Sequence, residues 1–115
     1  MAAAHFKADN LTGIVDYNKY QETGPISREM GLEPLAEKWR SFGWQVSETD
    51  GHDIAALMTA LRGFPHDTGK PSILIAHTVK GKGVSFVEAD FTFHGRALKP
   101  EQAALAQEEI LHGKR

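Results

Sequence analysis

An apolar pair, Ile14-Val15, runs directly into a dense set of oxygen donors: Asp16-Tyr17-Asn18-Lys19-Tyr20-Gln21. Asn18 carries a side-chain amide oxygen, and Tyr20 offers a backbone carbonyl two residues later. Hard cations such as Mg²⁺ take oxygen ligands in a near-octahedral shell, usually completed by phosphate oxygens and water. An oxygen-rich turn at the end of a strand suits that role. The same residues also read as an Asx turn that simply ends the strand, and on residue chemistry alone this plainer reading is the commoner one.

Two further stretches invite chemical readings. Lys80-Gly81-Lys82-Gly83 ends an apolar run and places cations beside a glycine turn, but it lacks the third glycine of a dinucleotide fingerprint. His94 lies in "TFHGRALKP", where Gly95 lets the backbone approach a ligand closely. Pattern alone still favours a structural histidine there. "GFPHDTGK", residues 63–70, looks like a phosphate-binding loop, but Pro71 stands where Ser or Thr is needed and the stretch precedes a strand. It reads as a surface loop. No histidine pair has helical i, i+4 spacing, so the other five read structurally. His5, His66 and His112 are expected to be exposed, His52 to follow a turn glycine, and His77 to be a hydrogen-bonded histidine inside a buried strand.

Composition narrows the classes. The chain has 115 residues, 41% hydrophobic and 24% charged, the profile of one small globular domain. A net charge of -2 with scattered basic residues, apart from Lys80/Lys82 and Lys114-Arg115, does not call for nucleic acid or an anionic membrane. Without cysteine there are no disulfides, thiolate metal sites or thiol nucleophiles. No apolar run approaches the roughly 20 residues that span a bilayer. The first ten residues lack the basic and apolar regions of a signal peptide, so a cytoplasmic location is expected and the Asn10-Leu11-Thr12 sequon carries no meaning.

The positioning elements follow from periodicity. Residues 2–8 read as the last turns of a helix, with Asp9-Asn10 as its stop. Residues 11–17 read as a strand and 18–33 as a loop. Pro34 opens a helix whose stripe is Leu35, Trp39 and Phe42, ending at Gly43. A strand over 44–49 follows. Asp53 caps a helix with the stripe Ile54, Leu57, Met58 and Leu61, closed by Gly63. Residues 72–79 are almost continuously apolar, the mark of a strand buried on both faces of a parallel sheet. Pro100 starts a final helix to about Leu111. The alternation of strand and helix predicts an α/β fold, a parallel sheet with flanking helices, in which ligands bind beyond the carboxyl ends of the strands.

Four blocks, "DNLTGIVDYNKYQ", "EPLAEKWRSFGWQVSETDGHD", "GKPSILIAHTVKGKG" and "FHGRALKPE", resemble in order and separation the thiamine-diphosphate-binding domain of transketolase. The likeness runs from about Ala3 to Glu109 and is greatest to the latter part of the amino-terminal subunit of transketolases made as two polypeptides. The resemblance implies a partial thiamine-diphosphate-binding fold. It implies that Asn18 gives its side-chain oxygen, and Tyr20 its backbone carbonyl, to Mg²⁺. It places Lys80 near the cofactor diphosphate and His94 at the cofactor and donor substrate. Asp16 and Gln21 are candidates for holding the turn.

The family motif begins with Gly-Asp-Gly, whose aspartate is another Mg²⁺ ligand, and no Gly-Asp-Gly occurs here. Residues 1–115 are therefore expected to be the C-terminal portion of the domain, lacking the upstream strand and leaving a sheet edge uncovered. The implied reaction is transfer of a two-carbon ketol unit between sugar phosphates. It requires a pyrimidine-binding domain or subunit, in a dimeric or heterotetrameric assembly, and no turnover is expected from this chain alone. The alternatives are a non-catalytic remnant or interaction fragment, or part of a dihydroxyacetone synthase or deoxyxylulose-phosphate synthase.

Overall fold

The apolar run after Pro71 forms β5 (Ser72–His77), and a parallel sheet is built on it. The structure, a computed structural model, describes residues 1–65 and 67–113. The chain divides into two compact units, residues 1–17 with 32–78, and residues 18–31 with 79 onward.

In the first unit β1 (Thr12–Tyr17) and β4 (Gln45–Asp50) flank β5 on either side, in the order β1-β5-β4. Thr12 and Gln45 both lie opposite Ser72, and Tyr17 and Asp50 both lie opposite His77, so the three strands end level. The central strand is buried as the unbroken apolar pattern requires: Leu74 is 0% exposed and Ile75 1%. Each such side chain contributes roughly 2 kcal/mol of hydrophobic stabilisation. β1 alternates instead. Thr12, Ile14 and Asp16 face outward while Tyr17 is buried. Ile14, apolar and β-branched as a buried strand residue would be, is 58% exposed, because an edge strand covered on one face buries only every second side chain.

α3 (Leu35–Ser41) packs on β4, and Trp39 meets Trp44 edge-to-face at 5.0 Å where the chain enters that strand. Asp53 caps α4 (Ile54–Arg62), accepting the Ala56 N–H at 2.9 Å, and α4 packs on β4 and β5. The α4 stripe has the expected spacing, but Ile54, Met58 and Leu61 stay exposed. α1 (Ala2–His5) is one turn long. It stops at Lys7 (φ 53), not at Asn10, with the Ala8 N–H on the Ala3 carbonyl and the Lys7 N–H on the Ala4 carbonyl. That pair of bonds is a Schellman closure, which satisfies the last carbonyls of so short a helix before Asn10 is reached.

The second unit corrects the expectation of a plain loop over 18–33. β2 (Tyr20–Gln21) and β3 (Gly24–Pro25) pair as a short antiparallel hairpin, followed by α2 (Ile26–Glu29). Periodicity cannot register elements of two to four residues. The Arg28 guanidinium folds over the hairpin turn and donates to the Thr23 carbonyl at 2.9 Å. After the Lys80–Ala89 loop come a 3-10 turn, Phe91–Phe93, and α5 (Pro100–His112), on which Ala106 is buried. Among the described residues no helix is long and apolar enough to cross a membrane.

Candidate functional site

Asn18, Tyr20, Lys80 and His94 all belong to the second unit. Asn18 is the first residue after β1, and Lys19 beyond it adopts a left-handed conformation (φ 72). That reversal lets the Asn18 side-chain oxygen accept the Tyr20 N–H at 3.0 Å. The Asx turn is therefore present. Tyr20 lies opposite Pro25, and the adjoining ladder bond runs from the Ile26 N–H to the Lys19 carbonyl at 3.0 Å. A residue between such bonds turns its own N–H and C=O away from the partner strand. The Tyr20 carbonyl thus points to the edge already occupied by the Asn18 oxygen. An amide oxygen has two lone pairs, so its bond to Tyr20 is compatible with a cation as well. Gln21 donates to the Thr23 hydroxyl at 3.0 Å and stiffens the same hairpin.

The donor set fits a hard cation in type, being all oxygen, but both donors are neutral. Among the described residues no group of three or more His, Cys, Asp or Glu could hold a metal ion. A divalent cation on this edge would need negative charge from elsewhere, as diphosphate oxygens supply it.

Lys80 opens a loop that Ala89 closes, its N–H on the Lys80 carbonyl at 2.8 Å. Gly81 (φ 70) passes so close to Val87 that a Cβ there would sit 2.7 Å from the Val87 carbonyl oxygen, so only glycine fits. Glu88 accepts the Gly83 N–H at 3.3 Å. Lys80 itself is half-buried, and among the described residues its ammonium makes no ion pair. It is a point charge on an ordered base.

His94 ends the Phe91–Phe93 turn, its N–H on the Phe91 carbonyl at 2.9 Å and its ring exposed. Asp90 starts that turn, accepting the Thr92 N–H at 2.8 Å, and the Thr92 bonds hold its carboxyl below the ordinary range. Phe93 meets Phe86 edge-to-face at 6.0 Å, with the Arg96 guanidinium 5.8 Å from the Phe93 ring centre. β3 packs against the turn, which brings the His94 segment beside the hairpin that carries Tyr20.

The first unit holds a polar cluster at the ends of its strands that sequence reading missed. The Tyr17 hydroxyl donates to one oxygen of Glu33, whose other oxygen accepts the Leu35 N–H at 3.0 Å at the start of α3. The Glu33 bond, burial and the Glu33 and Glu48 charges push the Tyr17 phenol up to about 12. His77 packs edge-on to Tyr17 at 5.5 Å and pairs through Nε2 with Glu48 at 2.9 Å. Its side chain is 42% exposed, which corrects the reading of a core histidine: β5 ends there. Asp16 accepts the Thr78 hydroxyl, linking the ends of β1 and β5. These partners are 16 to 62 residues apart, so no local pattern announces them. His5, His52 and His112 are exposed, and His66 lies outside the described residues.

The family described as "Transketolase, thiamine diphosphate binding domain" matches residues 1–113. The chain is 36% identical over 110 residues to an apulose-4-phosphate transketolase subunit of Phocaeicola vulgatus, covering 96% of this chain and 39% of that protein. It is 40% identical over 111 residues to the 6-deoxy-6-sulfo-D-fructose transketolase subunit SqwG of a Clostridium species, covering 95% of this chain and 40% of that one. It thus spans about two fifths of the length of these relatives. The crystal structure of transketolase from Campylobacter jejuni superposes with a TM-score of 0.85 at 28% identity, over 95% of this chain and 17% of that one. Family match, relatives and fold agree: this chain belongs to the transketolase thiamine-diphosphate-binding domain family.

Proposed function

We propose that this chain is the C-terminal portion of such a domain and serves a transketolase-type transferase, holding thiamine diphosphate through Mg²⁺. The observation that carries the reading is the Asn18–Tyr20 turn, which directs a side-chain oxygen and a backbone carbonyl to one edge. Asn18 and Tyr20 would bind the cation, and the cation would bind the diphosphate. Lys80 offsets remaining phosphate charge. His94, exposed on an ordered turn, donates a hydrogen bond to a phosphate or to an oxyanion developing on the donor substrate. Thiamine diphosphate, when bound, supplies the electron sink for moving a two-carbon ketol unit between sugar phosphates.

The two neutral donors define what the chain needs from outside itself. A further anionic ligand, the Gly-Asp-Gly aspartate of the resemblance, and a pyrimidine-binding domain or subunit complete the assembly in this reading. Two relatives named as transketolase subunits support a divided enzyme. Calorimetric titration of thiamine diphosphate with Mg²⁺ tests the proposal, using the chain alone and then an upstream-extended version with a pyrimidine-domain subunit. Binding by the complemented form, weakened by Asn18→Ala, is the expected result. A folded complemented form that binds nothing would make the chain a remnant.

A further inference from the structure

The Lys80–Ala89 loop is held from outside as well as at its neck. Glu109 on α5 accepts the Ser85 N–H on one carboxylate oxygen and the Ser85 hydroxyl on the other, both at 2.6 Å. Two short charge-assisted bonds from one side chain fix direction as well as distance. The rest of the loop transmits that fixation. Val84, next to Ser85, is 9% exposed and its carbonyl accepts the Val87 and Glu88 N–H groups at 3.0 and 2.9 Å. Gly81 lies against the Val87 backbone, and Ala89 returns to the Lys80 carbonyl. A bonded and closely packed backbone route thus connects Ser85 to Lys80 through Val84, Val87 and Ala89.

We propose that Glu109 is a positioning residue for Lys80, its grip on Ser85 holding the loop closed so that the lysine stands where a diphosphate is received. The inference rests on the reading of Lys80 as a diphosphate-binding residue. Glu109 touches no ligand in this proposal. Without its carboxylate the Lys80–Ala89 neck opens more often, and the ammonium spreads over a wider volume with less charge at any one phosphate.

The test is amide hydrogen exchange on the ¹⁵N-labelled full chain, followed by NMR titration of its upstream-extended form, with the pyrimidine-domain subunit added, with inorganic pyrophosphate and Mg²⁺. In Glu109→Ala the Ala89 amide exchanges about tenfold faster, the effect of losing bonds to a charged acceptor. The Ile26 amide in the hairpin and the Leu74 amide in β5 keep their rates. Glu109→Gln retains one acceptor oxygen and recovers part of the protection, while Gln107→Ala, on an exposed position of the same helix, changes nothing. Pyrophosphate shifts at Lys80 and Gly81 then saturate at several-fold higher concentration in Glu109→Ala, with Glu109→Gln between it and the parent. An unchanged Ala89 rate overturns the proposal. So does equal acceleration at Ala89 and Ile26, which would make Glu109 a prop for the whole unit, and so does faster exchange with unaltered pyrophosphate affinity. Lys80→Ala separates the two claims. If it binds pyrophosphate as the parent does, or the parent binds none, the diphosphate reading of Lys80 fails, and the exchange rates alone report whether Glu109 holds the loop.

Discussion

The Tyr20 N–H rests on the side-chain oxygen of Asn18 at 3.0 Å, across the left-handed Lys19. One bond thereby orients the Asn18 amide and sends the Tyr20 carbonyl to the same edge. Removing it in Asn18→Ala costs about 1 kcal/mol of local stability, so Tyr20 amide exchange accelerates roughly fivefold. Asn18→Asp keeps an acceptor at that position and keeps the protection. In the completed enzyme, Asn18→Ala raises the Mg²⁺ concentration needed for cofactor binding. Unaltered metal dependence would remove Asn18 from the site.

His94 is exposed and its fixed contact is through the backbone, so the ring adds little to folding. His94→Ala should leave the denaturation midpoint of this chain within about 0.5 kcal/mol of the parent. In the completed enzyme the same change lowers turnover by about 10²-fold, the usual loss of one positioned hydrogen-bond donor. A large loss of stability, or normal turnover, would contradict the assignment.

Tyr17 gives the fold an alkaline limit. Its phenol is raised from 10.0 to about 12, chiefly by donating to Glu33. The folded chain keeps that proton over a range where the unfolded chain releases it. The resulting stability is complete below about pH 10 and is lost as pH rises to about 12. Its size is on the order of 2 kcal/mol. Urea denaturation across this range should show stability falling with pH in the parent and a flatter profile in Tyr17→Phe.

Ser72 begins the buried central strand, and among the described residues its hydroxyl finds no hydrogen-bond partner. An unsatisfied hydroxyl in that position costs about 1 to 3 kcal/mol. Ser72→Ala should therefore leave stability unchanged or raise it by about 1 kcal/mol, read from the denaturation midpoint. A clear loss would reveal a bridging water that the hydroxyl holds.

Amino-acid order alone determined the elements that rest on periodicity and on short-range stereochemistry. The nearly unbroken apolar run over 72–79 specified a strand buried on both faces, which ends at His77; Asp53 and Gly63 bracketed α4, and Pro100 opened α5. The Asx turn at Asn18 was legible because it needs only three consecutive residues, whereas the reading of Asn18 and Tyr20 as cation ligands came from resemblance. Lys80 and His94 came from resemblance, since a lone lysine or histidine has no periodic signature. Tertiary structure decided what depends on partners distant in the chain. Ile14 faces outward because β1 is an edge strand, His77 pairs with Glu48 because β5 ends beside it, and Glu33 meets Tyr17 where the strands end level. Ser85 and Glu109 lie 24 residues apart, and nothing near either one names the other. Hydrogen bonds between distant residues arise when packing brings their elements together, and local sequence encodes only the donors and acceptors that packing then joins.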